Sequence, residues 1–277
     1  MRLVTYSVGP AWLARAGVRV GHRVLDIEAA SRVKGEPLPS TVKALLAAGR
    51  GALSRVQALS KAAVTEARSF SHAMHEERAI RLLPPVPDAN RFLCAGADDP
   101  AGDSPASTRL PASLVGHDAK VARPRGLARL DCAPVLVFVV GRSGLGVKEA
   151  DAMDYVAGIT LLNDLRAGDG APAPGFAPLG PEIVTMDELP DPHDLWVTCS
   201  VNGGERHRVN AADAFERLPA ILERSARQEA LEPGDLLCAG APRAAGAGPG
   251  LEPGDVVECA IEGVATLRTT IVAPADS

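Results

Sequence analysis

From Arg91 onward one pattern recurs: short apolar runs rich in β-branched residues, most of them closed by Gly, Pro or Asn. The runs are RFLCAG (91–96), VLVFVVG (135–141), VAGITLLND (156–164), EIVT (182–185), LWVTCSVNG (195–203), DLLCAG (235–240) and DVVECAIEGVATLRTTIV (255–272). Branched side chains pack well on a pleated surface but lose rotamer freedom in a helix, so this spacing predicts a mainly β domain. Aromatic residues make up only 3% of the chain, so its core must be built from Val, Leu, Ile and Ala. Two segments read as helices, KEADAMDYV (148–156) and AADAFERLPAILERSARQEA (211–230), the second bent or delayed by Pro219. Asn202–Gly203 favours a tight hairpin turn. The word LEPGD occurs at 231–235 and again at 251–255; a single recurrence makes no array, and each copy reads as a turn feeding a strand.

The first part of the chain has a different character. RLVTY (2–6) and VRVGHRVLDI (18–27) read as strands, the second folded into a hairpin at Gly21–His22. PSTVKALLAAG (39–49) has a Ser or Thr start signal and Gly49 as its stop, and ALSRVQALSKAAVTEA (52–67) reads as a helix burying Leu53, Val56 and Leu59. LLPPVPDAN (82–90) holds three prolines and can continue neither a helix nor a central strand. The expected division is therefore a small α+β domain over 1–87 and a larger β domain over 88–277.

Composition excludes several classes. Twenty-nine Lys and Arg stand against thirty-four Asp and Glu, with no basic run interleaved with aromatics, so nucleic acid is not an expected partner. Five widely spaced cysteines suit neither a disulfide framework nor a Cys-x-x-Cys metal site, and fit a reducing cytoplasm. Gly9, Pro10 and Arg15 interrupt the N-terminal apolar stretch, and no apolar run approaches the roughly 18 residues of a membrane span. The expectation is a soluble, unexported, cytoplasmic protein.

The ordered words IRLLPPVP, RFLCAG, PASLVG, VLVFVVG, EADAMDYVAGITLLNDL, PLGPEIVTMDELPDPHDLWVTCSVNG and the two LEPGD segments resemble the fumarylacetoacetate hydrolase family over nearly the whole chain. That family includes acylpyruvate hydrolases, oxaloacetate decarboxylases and tautomerases, and isomerases of aromatic breakdown. The resemblance implies an α+β, mainly β fold, in which a mixed β-sheet roll follows a small N-terminal domain and the protein assembles as a homodimer. It also implies a site where Mg or Mn chelates a 2-oxo acid or 1,3-dicarbonyl compound and polarises it.

Matched position by position, that site is depleted. The family's Glu-x-Glu, whose carboxylates share one sheet face by period-2 geometry, falls on Ala133 and Val135. The third ligand, an Asp after Asn, is matched by Asn163 and Asp164. The family's Asn-Tyr-x-x-His falls on Asp98 to Gly102, which contains no His, and its Gly-Thr-Pro on Gly240, Ala241 and Pro242. An Arg expected after the metal Asp is replaced by Gly168, the following loop (169–177) lacks the family's Lys, and the Lys of the substrate-side loop becomes Arg109. No cofactor is expected, and Mg or Mn only if Asp131, Asp169 or Glu182 serve as surrogate ligands.

Three functional readings follow. One is a small-carboxylic-acid enzyme running metal-independent lyase, isomerase or cyclase chemistry, with Asp164 as acid or base and Arg109 and Asn163 binding substrate. The second is a non-catalytic binding or partner subunit, and the third a conventional Mg- or Mn-dependent hydrolase or decarboxylase with surrogate ligands. The remaining features have plainer readings. His72 and His75 in SHAMHEE would share a face if helical, but read as an exposed polar surface. Cys94 and Cys132 read as buried apolar thiols, with His117 placed near the vacated positions. The loop RAAGAGPG (243–250) would lie at the mouth of the family's site.

Overall fold

The computed structural model describes residues 1–9, 13–95, 107–109, 111–168, 177–239 and 248–274. The N-terminal strands are β1 (Arg2–Val8), β2 (Arg15–Val20), β3 (Arg23–Asp26), β4 (Met74–Glu76) and β5 (Ile80–Leu83). They are followed by β6 (Phe92–Cys94), β7 (Ser107–Arg109), β8 (Leu114–Val115), β9 (Ala119–Ala122), β10 (Leu130–Val140), β11 (Val156–Ala167) and β12 (Ala177–Thr185). The last five are β13 (Trp196–Val201), β14 (Gly204–Asn210), β15 (Leu236–Cys238), β16 (Val256–Ile261) and β17 (Ala265–Val272).

Among the described residues these strands make two sheets. The larger runs β4-β3-β2-β1-β12-β11-β10-β15-β6-β7, with β5 on β1 and β8 on β12. The smaller runs β14-β13-β16-β17-β9. β1 pairs antiparallel with β12 through Arg2↔Val184 and Leu3↔Ile183, so one ladder joins the N-terminal strands to the later ones.

Helices α1 (Ile27–Val33), α2 (Val42–Ala47) and α3 (Gly49–Thr65) precede β4, and α4 (Ala212–Gln228) follows β14. Sequence periodicity misses α1, which is only two turns long; Asp26 caps it by accepting the Ala29 N–H at 2.9 Å. Thr41 caps α2. Gly49, read as a stop, sits at φ +79° and is where α2 breaks and α3 begins. Val56 and Leu59 of α3 are buried as expected, while Leu53 is only half-buried.

β10, β11 and β12 are buried almost along their whole length because both faces are covered, which is why they read as continuous apolar runs. One face carries Val135, Val137, Val139 and Leu162, packed with the α1–α3 core. The other carries Leu136, Phe138, Ile159 and Leu161, packed with Leu218, Ile221 and Leu222 of α4 and with the smaller sheet. The smaller sheet has one wet face, and β13, β16 and β17 accordingly alternate in burial. Asn202 (φ +51°) and Gly203 (φ +81°) make the β13–β14 turn.

Pro219 neither delays nor ends α4, which runs through it for 17 residues. The buried face of Leu218, Ile221, Leu222 and Ala226 outweighs one missing N–H. Residues Glu149–Tyr155, expected as an α-helix, form a 3-10 helix instead. Its ends are tethered: the Glu149 N–H donates to the Glu223 carboxylate at 2.9 Å, and the Tyr155 carbonyl accepts from Gly141.

The two LEPGD words adopt the same turn. In each, the Asp carboxylate accepts the Glu N–H, Glu232 to Asp235 at 2.9 Å and Glu252 to Asp255 at 2.8 Å. In each the Gly has positive φ and its N–H, with the Asp carbonyl, straddles one strand residue, Val140 for the first copy and Ile271 for the second.

Candidate functional site

The candidate site is built on the β10–β11 ladder, whose register pairs Asp131↔Arg166, Ala133↔Asp164, Pro134↔Asn163 and Val135↔Leu162. Directly opposed residues share a face, as do residues two apart on one strand. Asp131, Ala133 and Val135 therefore share a face with Leu162, Asp164 and Arg166. Cys132, Pro134, Asn163 and Leu165 occupy the other. Pro134 is tolerated in mid-strand because β15 reaches only Val137–Val139, leaving β11 as the described ladder partner at that level.

Asp164 thus lies directly across from Ala133, with Val135 one repeat further on. Ala133 and Val135 are 0% and 1% exposed, and Val135 belongs to the apolar core shared with the N-terminal helices. The Asp164 side chain is 3% exposed and accepts the Arg166 Nε–H at 2.6 Å; Arg166 itself is 26% exposed.

Asn163, expected beside Asp164 as a substrate-binding residue, faces the opposite way, because neighbours on a strand alternate. It is 0% exposed between the sheets, and its Oδ1 and Nδ2 have no hydrogen-bond partner among the described residues. Arg109 lies on β7 opposite Phe92, and the ladder β7-β6-β15-β10 sets its backbone level with Val139. Its side chain is outside the described residues, as are 98–102, 169–176 and 240–247, which hold most of the other expected substitutions and all but the last three residues of RAAGAGPG.

The surrogate ligands are engaged elsewhere. Asp131 precedes Pro134 in β10 and lies on the Ala133 face, two residues away. Its carboxylate is taken by the Arg129 Nε–H at 3.0 and 2.8 Å. Glu182, on β12, is buried between Arg19 and Arg2; burial pushes its carboxyl up, with Arg19 opposing that shift. Asp169 is outside the described residues.

A hard divalent cation needs several oxygen ligands converging on one point. Here two of the three family positions carry methyl groups in a dry core, and the third carboxylate is held by a guanidinium. Among the described residues no three His, Cys, Asp or Glu side chains are grouped to hold an ion. The described residues of this face do not fit the family's cation.

Other candidates lie apart. His72 is in a 3-10 turn and His75 in β4, so they do not share a helix face, and the His75 ring packs against Tyr6. His117 accepts the Arg268 N–H through Nδ1 and lines a separate polar cavity of about 440 Å³ with Arg19 and Glu182. Cys132 lies on the inter-sheet face, its Sγ 3.5 Å from that of Cys199; that thiol contact and burial raise its pKa, so it is no nucleophile. A larger groove of about 840 Å³, lined by Gly141, Val156 and Ala157, sits at the far end of the β10–β11 ladder from Asp164.

Sequence reasoning missed Arg166. The signal was present: a residue two places after Asp164 on a strand must share its face.

Residues 95–272 match the fumarylacetoacetate (FAA) hydrolase C-terminal family. The chain is 27% identical to the mitochondrial oxaloacetate tautomerase fahd2 of Xenopus laevis, over 98% of this chain and 90% of that protein. It is 32% identical to an uncharacterised protein of Staphylococcus aureus strain USA300, over 69% of this chain and 72% of that one. Maleylpyruvate hydrolase from Sphingobium sp. SYK-6, solved with manganese(II) and pyruvate, superposes with a TM-score of 0.79 at 24% identity, over 99% of this chain and 100% of that one. The 5-carboxymethyl-2-hydroxymuconate delta-isomerase of Mycobacterium smegmatis gives 0.71 at 21% identity, over 100% of both chains. The fold is thus that of these solved structures. This chain belongs to the fumarylacetoacetate hydrolase family.

Proposed function

We propose that this chain binds a small 2-oxo acid or related dicarbonyl compound at the Asp164 end of the β10–β11 ladder and transforms it by proton transfer without a bound metal. Isomerase, lyase and cyclase reactions all share such a step. Maleylpyruvate and oxaloacetate, named for its relatives, are both 2-oxo acids, which supports the substrate class. The observation that carries the metal-independent part is the pairing of Asp164 with Arg166 across from Ala133 and beside Val135.

In this reading the Asp164 carboxylate takes a proton from the carbon next to the ketone. The C–H electron pair becomes the new C=C bond and the carbonyl π pair moves onto oxygen. Returning the proton to oxygen completes a tautomerisation. Arg109, expected as the anchor for a substrate carboxylate, has its backbone level with Val139, toward the other end of the ladder, and Asn163 faces away from Asp164, so this reading gives neither of them a part at the Asp164 end.

A second reading is favoured by one feature of the same pair: the Asp164 side chain is 3% exposed and already bonded. That suits a binding or partner subunit that retains the fold without turnover. Oxaloacetate enol–keto conversion, followed by ultraviolet absorbance with and without EDTA, separates the readings. The catalytic reading expects turnover that survives EDTA and falls at least about a hundredfold in Asp164→Asn. Activity that vanishes with EDTA and returns with Mn overturns metal independence, and no turnover of any 2-oxo acid leaves the binding subunit.

A further inference from the structure

We infer that the groove of about 840 Å³ between α3 and the larger sheet is a second ligand site, which takes a free medium-chain aliphatic carboxylate, its chain on the methionines and its head group on Arg142. The groove lies at the far end of the β10–β11 ladder from Asp164, so its occupancy can be measured apart from any turnover there.

Three observations converge. First, the lining is apolar and adaptable. Met1, Met153 and Met186, three of the four methionines in the chain, line the groove with Val156 and Ala157. An unbranched thioether side chain re-packs around ligands of varied shape, and a groove of this size suits a small molecule. Leu53, which helical periodicity expects in the core, is half-buried and lines the same groove.

Second, little has to be broken to fill it. The α3 wall is joined to the opposite wall by the Arg50–Asp154 pair and by the Gln57 amide donating to Asp187, each at 3.4 Å and open to solvent. Contacts that long and that exposed contribute little.

Third, the charges at the rim favour an anion. Arg142 has no carboxylate partner among the described residues, and its guanidinium stacks over the Tyr155 ring at 5.0 Å. Gly144 packs on that ring so closely that a Cβ there would come within 2.4 Å of it. Stacking fixes the plane of the guanidinium and leaves its edge donors for a carboxylate, which it can take bidentately. The acids of the rim are already met, Asp154 by Arg50, and Asp187 by the Thr185 hydroxyl and the Met1 ammonium.

The test titrates decanoate into the full chain by calorimetry. Saturable binding of one decanoate per chain is expected, with a Kd below about 1 mM. Each methylene removed, from decanoate down to hexanoate, should weaken binding by about fourfold as the buried chain shortens. Decyltrimethylammonium, with the same tail and the opposite charge, should bind more weakly than decanoate. Arg142→Glu should reverse that order, which uptake of a tail on any apolar surface would not do. Ser54→Trp, at an exposed position of α3 that lines the groove, should abolish binding of both by filling the space.

The inference is overturned if decanoate shows no saturable binding, if a folded Arg142→Glu leaves the order of the two head groups unchanged, or if a folded Ser54→Trp binds decanoate as wild type does. Should circular dichroism show that Arg142→Glu does not fold, Arg142→Gln decides: a loss of about fivefold for decanoate alone supports the anchor, and unchanged affinity rejects it. Sedimentation equilibrium runs alongside. A dimer that Ser54→Trp dissociates and decanoate does not enter makes a second copy the occupant, and overturns the carboxylate site.

Discussion

Restoring both missing carboxylates, Ala133→Glu with Val135→Glu, probes the site where it differs most from its family. The register places four carboxylates on one face: Asp131, already held by Arg129, and the two new ones at about 7 Å intervals along β10, with Asp164 directly across from position 133 at about 5 Å. At an effective dielectric of about 20, each close pair repels by roughly 3 kcal/mol, and Arg166 offsets about one such term. Two new charges in positions now 0% and 1% exposed add desolvation of several kcal/mol. A net loss of about 5 kcal/mol is expected without metal. A two-state chain of this length unfolds with an entropy of roughly 0.6 kcal/mol/K, so its Tm should fall by about 8 °C. Manganese at about a hundredfold excess over its Kd would return about 2.7 kcal/mol, or 4 to 5 °C. The assay is a thermal-shift series across Mn concentrations, with wild type alongside and expected to stay flat. A wild-type shift equal to the variant's would refute the reasoning, as would a folded double variant that gains nothing from Mn.

Three further outcomes are expected. Burial opposes ionisation of Asp26, but the Ala29 N–H, Arg15 and the Tyr6 hydroxyl outweigh it and hold the carboxyl below its usual range. Its contribution is therefore present above the unfolded value of about 3.9 and lost as pH falls through the lower folded value; Asp26→Asn should cost about 1–2 kcal/mol at pH 7, with the gap closing in urea titrations as the pH is taken below the unfolded value. Gly158→Ala would set a Cβ 2.3 Å from the Val184 carbonyl oxygen on the neighbouring strand, so denaturant melts should show a loss of about 2 kcal/mol or more, and a wild-type midpoint would contradict that contact. All five cysteines are buried, so DTNB should leave the native protein unlabelled at pH 8 and titrate five thiols once guanidinium unfolds it.

The strands and most turns were legible because their signals are local. Asn202–Gly203 must turn, and the run from Val135 to Val140 must be covered on both faces. Alternation alone also determined that Asn163 and Asp164 point apart, and that Arg166 joins Asp164. Motif matching passed over both consequences by following positions in order instead of faces. What could not be read were partners supplied from elsewhere in the chain: Arg19 on Glu182, 163 residues away, or Glu223 anchoring the segment that became a 3-10 helix. The short helix α1 escaped for a related reason, since seven residues offer too little periodicity and depend on the Asp26 cap.

The twin LEPGD turns form a natural pair of replicates: identical residues clasp a strand backbone in the same way, yet they are placed in different company. Asp235 is 1% exposed and grips Arg91, whereas Asp255 is partly exposed and touches Asn202. Whatever separates Asp235→Ala from Asp255→Ala in stability must then come from those surroundings, because the local geometry cancels between the copies.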